Sequence, residues 1–432
     1  MLPIEQLHQY YTESNYTVST DTRKIEPGSM FFALKGENFD ANTFAKHALE
    51  KGAKWAVIDN PEFEQSAGTI LVDDVLKTLQ DLANYHRHQL KIPFIGIGGS
   101  NGKTTTKELV HSVLSQKFKT ISTPGNYNNH IGVPLTILGI KPGTEMAVIE
   151  LGANKIGDIE ELCQIAEPDF GLITNIGKEH LEGFGSLEGV AKAESELYYH
   201  LLKSGGLAFV NKDDEWLIRM ASRLTKVHGY SCKDALAETY CKLIEDFPTI
   251  EFEFENLKMS SQLSGSYNFE NIMAAVGIGQ FFGVPADLIK KGIEIYVPKN
   301  KRSQIITQGS TMIFLDAYNA NPSSMEKALE NFARFNFPKK IAVLGDMFEM
   351  GEHAEHEHEL IYNYAVSLNF DHLFVAGEHF KKQALANGKD GFETAKEINV
   401  LLKDLNLKDT AIFIKGSRGM AMENVMEGII EL

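Results

Sequence analysis

Cysteine is scarce in this chain, and a long apolar run is missing. The three cysteines are an odd number without metal-ligand spacing, which argues against a disulfide framework and a cysteine-rich metal site. No apolar stretch is long enough to span a bilayer, and the N-terminal residues lack a basic segment followed by an apolar one. We therefore expect a cytoplasmic protein without stable membrane insertion.

Positive charge is also in short supply. The 58 Asp and Glu residues outnumber the 42 Lys and Arg residues, and the formal net charge is −16. Nucleic acids and anionic membrane surfaces reward dense basic patches, so neither is expected as the main partner. An anionic ligand must instead meet positive groups locally. No pattern indicates an exposed apolar seam, and we expect a monomer.

The 432 residues exceed what one core usually holds, and their pattern predicts three α/β domains. Short strands and helices alternate in a small domain over residues 1–90. Strand, turn and helix repeat over 91–297, which predicts a P-loop-type, mostly parallel sheet covered by helices. Alternating aromatic residues and glutamates over 250–255 predict an antiparallel strand with one wet face. Residues 297–300 resemble a linker, and 298–432 predict a Rossmann-like α/β domain.

The stretch 95–106 combines an apolar strand, a glycine-rich turn and a Lys-Thr helix start. Such a turn is typical of phosphate binding, because backbone N–H groups surround the anion and the helix N-terminus adds partial positive charge. We expect Lys103 to reach the β/γ-phosphates and Thr104 to ligate Mg²⁺. The usual spacing would put the first glycine at Ile97, and the alternative is a turn that merely ends a strand. The candidate nucleotide-binding residues here are Gly99, Ser100, Asn101, Gly102, Lys103, Thr104 and Thr105.

Two further strands deliver charged or polar groups to the same sheet edge. Glu150 ends one apolar strand, and His180 follows another after a short turn. A carboxylate and an imidazole at strand ends suit Mg²⁺ held between protein and phosphates. Taken alone, Glu150 is equally typical of a solvated strand end, and His180 is more typical of a capped turn.

Taken together, these spacings resemble the Mur ligases, ATP-dependent amide-bond ligases of bacterial cell-wall synthesis, over essentially the whole chain. The similarity is strongest to the branch that adds D-alanyl-D-alanine to UDP-N-acetylmuramoyl-tripeptide. The Tyr-Asn-Ala-Asn-Pro and Gly-Asp-Met segments of this chain are specific to that branch. Any one shared segment is weak evidence, and the resemblance rests on the whole ordered series of segments. The segments span 21–23, 32–36, 126–134, 150–154, 180–186, 265–271, 316–322, 344–351 and 415–419.

The resemblance implies ATP and Mg²⁺ as cofactors, and catalytic roles for Lys103, Glu150, His180 and Glu194. Thr104 and Glu150 would hold one Mg²⁺, and His180 a second. The resemblance also implies that Asn271 contacts the adenine, while Arg302 and Asp316 close onto phosphate and ribose. The implied substrate-binding residues are Thr22, Arg23, Lys35, Gly36 and Asp40 for the UDP end, Asn128 and Asn129 after the phosphate loop, and Asn319, Asn321, Lys415, Ser417 and Arg418 for the dipeptide. The alternative to a substrate-binding role for residues 21–23 is a simple turn.

Glu194 departs from the family pattern. Many members carry a carbamylated lysine as a metal ligand three residues before a Leu/Ile-aromatic pair, and Glu194 occupies that place before Leu197 and Tyr198. Because a glutamate already supplies a carboxylate, we hypothesise that Glu194 supports the second Mg²⁺ directly or through water. Lys192 is the alternative, but two residues along a helix rotate a side chain by roughly 200°, which should turn Lys192 away.

The resemblance implies an acyl-phosphate mechanism that yields UDP-N-acetylmuramoyl-pentapeptide, ADP and phosphate. Three other functions remain open. A Mur-type ligase with another amino acceptor, such as the ligase adding the third residue or a folylpolyglutamate synthetase-like enzyme, would share the chemistry. A P-loop kinase or GTPase should show a Walker-B-type aspartate and switch elements, and neither stands out. A nucleotide-binding scaffold would bind without turnover.

Overall fold

The computed structural model describes residues 2–65, 67–299 and 301–429. Asn300 of the expected linker and residues 430–432 of the expected last domain lie outside the described residues, as do Met1 and Ser66. Three parts follow one another along the chain, each built on a sheet that is parallel or mostly parallel. Among the described residues, no helix has both the length and the apolar character needed to cross a membrane.

The N-terminal part is a four-stranded parallel sheet with strand order β1-β2-β5-β6, plus a two-stranded hairpin of β3 and β4. Leu7 and Tyr11 of the first helix are buried in a core shared with the central part. The Tyr11 hydroxyl also donates to the Leu138 carbonyl oxygen at 2.6 Å. The elements are α1 Ile4–Glu13, β1 Val18–Ser19, β2 Met30–Phe32, β3 Lys35–Gly36, β4 Phe39–Asp40, α2 Ala45–Glu50, β5 Trp55–Ile58, β6 Thr69–Leu71 and α3 Val75–Gln89.

The central part contains a seven-stranded parallel sheet with order β13-β12-β11-β10-β7-β9-β8. Its inner strands are continuous apolar runs, as expected for strands covered by helices on both faces. The elements are β7 Phe94–Gly98, α4 Lys103–Leu114, β8 Thr120–Ser122, α5 Gly132–Leu138, β9 Met146–Glu150, α6 Asp158–Ala166, β10 Phe170–Ile173, α7 Leu181–Phe184, α8 Leu187–Ser204, β11 Leu207–Asn211, α9 Glu215–Ala221, β12 Val227–Ser231, β13 Thr239–Tyr240, β14 Lys242–Glu245, β15 Glu251–Phe254, β16 Leu257–Ser260, α10 Ser266–Phe281 and α11 Ala286–Glu294.

Strand β15 confirms the antiparallel strand predicted from alternating residues. It pairs with β14 and β16 in a three-stranded antiparallel sheet. Phe252 and Phe254 are buried, while Glu251 and Glu253 are half-buried on the other face. The phenylalanines join the core beneath α4 and α10, so this sheet supports the helix that begins at the phosphate loop.

The last part is a five-stranded sheet with order β17-β18-β21-β19-β20, parallel except for β17 at its edge. Strands β18 and β21 end at Asp316 and Lys415. Asn321 begins the next helix, accepting a hydrogen bond from the Ser324 N–H at 2.8 Å. The elements are β17 Gln304–Gln308, β18 Thr311–Asp316, α12 Pro322–Ala333, β19 Lys339–Gly345, α13 Ala354–Ser367, β20 His372–Ala376, α14 Glu378–Ala386, α15 Ala395–Asp404 and β21 Thr410–Lys415.

Strand β7 lies between β10 and β9, where the order of the central sheet reverses. The pairings of Ile97 with Glu150 and of Gly98 with Ile173 bring the carboxyl ends of the three strands to one edge. Ligands of open α/β sheets bind at such reversal points. The fold therefore places the phosphate loop, Glu150 and the segment before His180 around one crevice.

Candidate functional site

A cleft of about 450 Å³ lies between the carboxyl edge of the central sheet and the last part of the chain. It gathers residues that are up to three hundred positions apart in the sequence, from both sheets. The sequence-predicted residues that line it are Ser100, Asn101, Gly102, Lys103, Thr104, Thr105, Asn128, Asn129, Glu150, His180, Asn271, Arg302, Asp316, Asn319, Asn321 and Lys415. The size suits a small-molecule ligand.

The loop after β7 requires glycine at two positions. Gly99 and Gly102 have φ values of +111° and +83°. A Cβ on Gly99 would meet the Thr174 hydroxyl and lie 2.6 Å from its backbone nitrogen, and one on Gly102 would collide with the Asn271 side chain. Ile97 lies inside β7 and is fully buried, so the turn begins later than the usual spacing predicts.

Ser100 and Asn101 anchor the loop to the segment after β10. The Ser100 N–H donates to the Asn175 carbonyl oxygen at 2.9 Å, and the Gly177 N–H donates to Ser100 Oγ at 2.8 Å. The Asn101 N–H donates to Asn175 Oδ1 at 3.1 Å. Helix α4 begins at Lys103, so the N–H groups of its first turn have no partner within the helix and suit an anion.

Glu150 is almost fully buried beside Thr104. Its Oε1 accepts from Thr104 Oγ1 at 3.0 Å and from Asn128 Nδ2 at 2.9 Å. The other carboxylate oxygen, Oε2, has no hydrogen-bond partner and lies 3.5 Å from the ammonium of Lys107. Sequence reasoning missed Lys107, although it follows Lys103 by four residues and therefore shares its helix face.

Lys103 lies over a second group of buried acids. Its ammonium donates to the carbonyl oxygens of Gly99 and Ser100 and lies 3.5 Å from Glu179 Oε2. Burial opposes the charged ammonium, but Glu179, Glu194 and Glu150 outweigh it and raise the pKa of Lys103. Glu179 was not predicted, because nothing in its local sequence indicates that a glutamate in a turn is buried.

Glu194 lies beneath the loop on α8. Its Oε2 accepts from the Gly99 N–H at 2.5 Å, and its Oε1 has no partner. Burial raises the pKa of Glu194 to about 7, although the Lys103 ammonium opposes that change. Lys192 is exposed and faces away, as the helical rotation predicted. Glu194 is not among the residues lining the cleft.

His180 lines the cleft but pairs with the last part of the chain. Its Nδ1 is 2.7 Å from Glu349 Oε2, and this contact holds the pKa of Glu349 below its usual value. Within the described ranges, no group of three or more His, Cys, Asp or Glu side chains is arranged to hold a metal. The predicted metal ligands thus do not meet at one point, since Thr104 and Glu150 form a pair, His180 contacts Glu349, and Glu194 lies under the loop.

The opposite wall comes from the last part. The guanidinium carbons of Arg302 and Arg418 lie 3.6 Å and 5.0 Å from the centre of the Tyr318 ring. Arg418 lines a neighbouring cleft of about 430 Å³, which also touches Thr104. Sequence reasoning missed Tyr318, although it lies within the Tyr-Asn-Ala-Asn-Pro segment that carried the resemblance.

Asp316 and Lys415 form an ion pair at the ends of β18 and β21. Lys415 also donates to the Asn319 carbonyl oxygen at 3.1 Å. Ser417, predicted as a substrate contact, is buried and is not among the residues that line either cleft. Its Oγ accepts from the Phe348 N–H at 2.8 Å.

Asn271 is buried and already partnered within the central part. Its Oδ1 accepts from Thr106 Oγ1 at 3.0 Å, and its Nδ2 donates to Asn268 Oδ1 at 3.3 Å. The amide keeps one further donor hydrogen and one further acceptor lone pair, so this side chain can contact adenine without losing either bond.

The five residues predicted for the UDP end lie in the N-terminal part, away from both clefts. Arg23 is exposed and pairs with Asp21, whose carboxylate also accepts from the Arg23 N–H, and Thr22 lies in the same turn. Lys35 forms an ion pair with Asp59 at 2.8 Å. Gly36 is exposed, and Asp40 accepts from Asn42. The turn at 21–23 is thus real, and its surface faces solvent.

Besides the pair of His180 with Glu349, further polar contacts hold the last part against the central part. Asn321 Nδ2 donates to Asn101 Oδ1 at 2.9 Å. Lys178 is 2.6 Å from Glu357, and Arg334 binds the Asp246 carboxylate at 2.7 and 3.0 Å. The cleft is consequently closed on the side of the phosphate loop by polar contacts.

Comparison with known proteins gives matches along the chain. Residues 15–87 match the model described as the Mur ligase family catalytic domain, residues 97–279 the Mur ligase middle domain, and residues 301–418 the Mur ligase glutamate ligase domain. These three matches confirm the predicted three-domain α/β organisation.

Curated relatives named UDP-N-acetylmuramoyl-tripeptide–D-alanyl-D-alanine ligase align over nearly the full length. The protein from Bacillus subtilis (strain 168) is 34% identical, covering 98% of this chain and 95% of its own. The protein from Escherichia coli (strain K12) is 33% identical, covering 96% and 93%.

Solved structures agree with these relatives. A crystal structure of MurF from Acinetobacter baumannii has a TM-score of 0.86 at 29% identity and covers 97% of both chains. A crystal structure of MurF ligase from Thermotoga maritima in complex with ADP has a TM-score of 0.81 at 28% identity, covering 95% and 96%. With all three family domains in order and relatives matched almost from end to end, this chain belongs to the Mur ligase family.

Proposed function

We propose that this protein is an ATP-dependent ligase that joins D-alanyl-D-alanine to UDP-N-acetylmuramoyl-tripeptide, releasing ADP and phosphate. The observation that carries the proposal is one cleft, where the phosphate loop, Glu150 and the Tyr-Asn-Ala-Asn-Pro segment meet. Relatives named for this reaction match the whole chain. The product is a peptidoglycan precursor. ATP is a cytoplasmic compound and the cysteines are free, which supports the expected cytoplasmic location.

The three parts divide the work in this proposal. Residues 1–90 bind the UDP end of the substrate through Thr22, Arg23, Lys35, Gly36 and Asp40. Residues 91–297 bind ATP, and residues 298–432 close on ATP and bind the dipeptide. Arg302 and Asp316 are the side chains that would contact the nucleotide from the closing part. On the dipeptide side, we propose contacts from Asn319, Asn321, Lys415 and Arg418.

The ATP phosphates would lie at the N-terminus of α4. The free N–H groups of its first turn and the Lys103 ammonium supply positive charge there, although the protein as a whole is acidic. Reaching the phosphates requires Lys103 to leave the carbonyl oxygens of Gly99 and Ser100 that it now contacts. Arg302, on the facing wall, adds a second positive charge across the cleft.

The acids of the site fit Mg²⁺ by their unused oxygens. Glu150, Glu179 and Glu194 each have one buried carboxylate oxygen without a hydrogen-bond partner, and hard cations prefer such ligands. We propose that Thr104 and Glu150 hold one Mg²⁺, and that His180 and Glu194 support another. Bound Mg²⁺ would neutralise charge on the phosphates. His180 would have to share or leave its contact with Glu349.

The reaction needs two steps because a carboxylate is a poor electrophile. The tripeptide carboxylate oxygen bonds to the γ-phosphorus as the bond to the ADP oxygen breaks, which gives an acyl phosphate. The dipeptide amine then attacks the acyl carbon, loses a proton, and phosphate leaves. Lys103 and Arg302 would stabilise the charge on the transferred group. Closure of the last part would exclude the water that hydrolyses an acyl phosphate.

The deciding assay measures phosphate release from ATP with UDP-N-acetylmuramoyl-tripeptide, with and without D-alanyl-D-alanine. We expect release to depend on the dipeptide and the pentapeptide product to form. Release that depends on a single amino acid instead would assign a sister ligase. Nucleotide binding without release under either condition would assign a scaffold. When variants of the site residues are assayed, Glu196→Gln serves as their control. The Glu196 side chain lies on α8, but it binds the N–H groups of Gly157 and Glu160.

A further inference from the structure

The buried charges beneath the phosphate loop are not explained by phosphate binding alone. Glu194 is fully buried and Glu179 is 4% exposed, yet both lie beneath a loop that is expected to bind an anion. Two carboxylates at this place repel phosphate and have lost their water. Buried charges persist only where a partner compensates them. The compensating group in the nucleotide-free protein is the Lys103 ammonium.

Lys103 is turned back onto this acid pair. Its ammonium lies 3.5 Å from Glu179 Oε2, and it donates to two loop carbonyl oxygens rather than pointing into open space. Its charge also acts on Glu194. All three hydrogens of the ammonium are therefore directed to oxygen atoms of the protein. The ammonium thus compensates Glu179 directly and acts on Glu194 through its charge.

The acids themselves remain only half satisfied by this lysine. Oε1 of Glu179 and Oε1 of Glu194 have no hydrogen-bond partner. The second oxygen of Glu194 accepts from the Gly99 N–H at 2.5 Å, which fixes the carboxylate against the loop. A buried, unpaired carboxylate oxygen is costly, and oxygen atoms of this kind are the preferred ligands of divalent cations.

We propose that Glu179 and Glu194 together form a divalent-cation site that the ammonium of Lys103 occupies until nucleotide binds. This inference rests on the proposed function, in which the ATP phosphates draw Lys103 away from the loop carbonyls. The divalent cation then replaces the Lys103 ammonium beside Glu179 and Glu194. A positive charge therefore lies beneath the loop both before and after nucleotide binds. Glu179 is thereby a cation ligand, a role that the sequence did not predict.

The first test removes the resident charge in nucleotide-free protein. Mn²⁺ binding is followed by the electron paramagnetic resonance signal of free Mn²⁺. Replacing the ammonium with a neutral side chain of similar length, Lys103→Met, should tighten Mn²⁺ binding by at least about tenfold, because a like charge within contact distance is lost. Lys103→Arg keeps the charge and should keep the weak binding of the unaltered protein.

The tighter Mn²⁺ binding of Lys103→Met must depend on both Glu179 and Glu194. Adding Glu179→Gln or Glu194→Gln to Lys103→Met should abolish the tighter binding. Adding Glu196→Gln, on the same helix as Glu194 but bonded to the start of α6, should leave it intact. Thermal unfolding of each variant shows that it is folded. An unchanged affinity in Lys103→Met, or a gain that survives Glu179→Gln, overturns the proposal.

The second test follows the exchange itself. With saturating ADP, the unaltered protein should bind one more Mn²⁺ per chain than Glu179→Gln, which keeps the ion carried by the nucleotide. Equal stoichiometry in the two proteins overturns the exchange. Failure of the proposed function has a different signature, namely no ADP binding by the unaltered protein, and the nucleotide-free comparison still decides whether Lys103 and the cation compete for the acid pair.

Discussion

Substituting Gly99 tests whether the phosphate loop must pass as close to β10 as the structure shows. Gly99 has φ +111°, and a Cβ there would meet the Thr174 hydroxyl and lie 2.6 Å from the Thr174 nitrogen. The left-handed backbone costs an alanine about 1 to 2 kcal/mol. Overlap with a backbone atom that belongs to the end of a central strand adds about 1 to 3 kcal/mol. Gly99→Ala should therefore destabilise the protein by about 2 to 5 kcal/mol.

Gly143→Ala is the matched control. Gly143 has φ +90°, but no atom lies within 4 Å of the position of its added Cβ. It therefore carries the backbone cost without the overlap. Both variants are compared by the denaturant concentration at which the central part unfolds, followed by tryptophan and circular dichroism signals, and by calorimetric titration with ADP. Because the chain has three parts, the comparison uses midpoints and not one global free energy.

The two variants should separate in both measurements. Gly143→Ala should lower the midpoint slightly and leave ADP affinity unchanged, since its turn precedes β9, at the opposite end of that strand from Glu150, and no atom lies within 4 Å of the added Cβ. Gly99→Ala should lower the midpoint further and weaken ADP by at least about tenfold, because relief of the overlap shifts the N–H groups that follow β7. Equal midpoints together with equal ADP affinities would refute the loop geometry.

Three further predictions concern charged groups. Lys103→Ala should lower kcat by about two to three orders of magnitude while circular dichroism stays unchanged, and retained turnover would remove the loop from catalysis. Removing dissolved carbon dioxide should leave activity unchanged, because Glu194 already supplies a carboxylate; rescue by bicarbonate, or a carbamate on Lys192 by mass spectrometry, would contradict this. The bidentate contact with Arg334 holds the pKa of Asp246 below its usual 3.8, so its stabilising effect is full at neutral pH and is lost as pH falls through the lowered pKa. Asp246→Asn should thus lower stability by up to about 1 kcal/mol at pH 7, and the difference from the unaltered protein should shrink as pH falls below 3.8 and vanish below the lowered pKa.

Sequence alone predicted the elements that depend on local periodicity. The strand before the phosphate loop, the helix after it and the aromatic-glutamate alternation of β15 all occur where they were expected. Apolar runs and alternation report burial directly, because each follows from the spacing of side chains along one element.

Contacts between distant segments could not be predicted in this way. Glu179 and Tyr318 matter because of what reaches them from elsewhere in the chain, namely Lys103 across 76 residues and Arg302 across the cleft. Ser417 illustrates the same point, since this polar residue of a motif is buried and its Oγ accepts from the Phe348 N–H. Local sequence gives the residue type, and tertiary packing decides whether its polar atoms face ligand or backbone.

One short segment after β10 carries both a buried acid and contacts with the last part of the chain. Lys178 and His180 bind Glu357 and Glu349 of the last part, and Glu179 between them faces Lys103. Planar peptide bonds join these three consecutive residues directly to one another. A ligand that draws Lys103 from Glu179 therefore acts on the same turn whose neighbouring residues contact the last part.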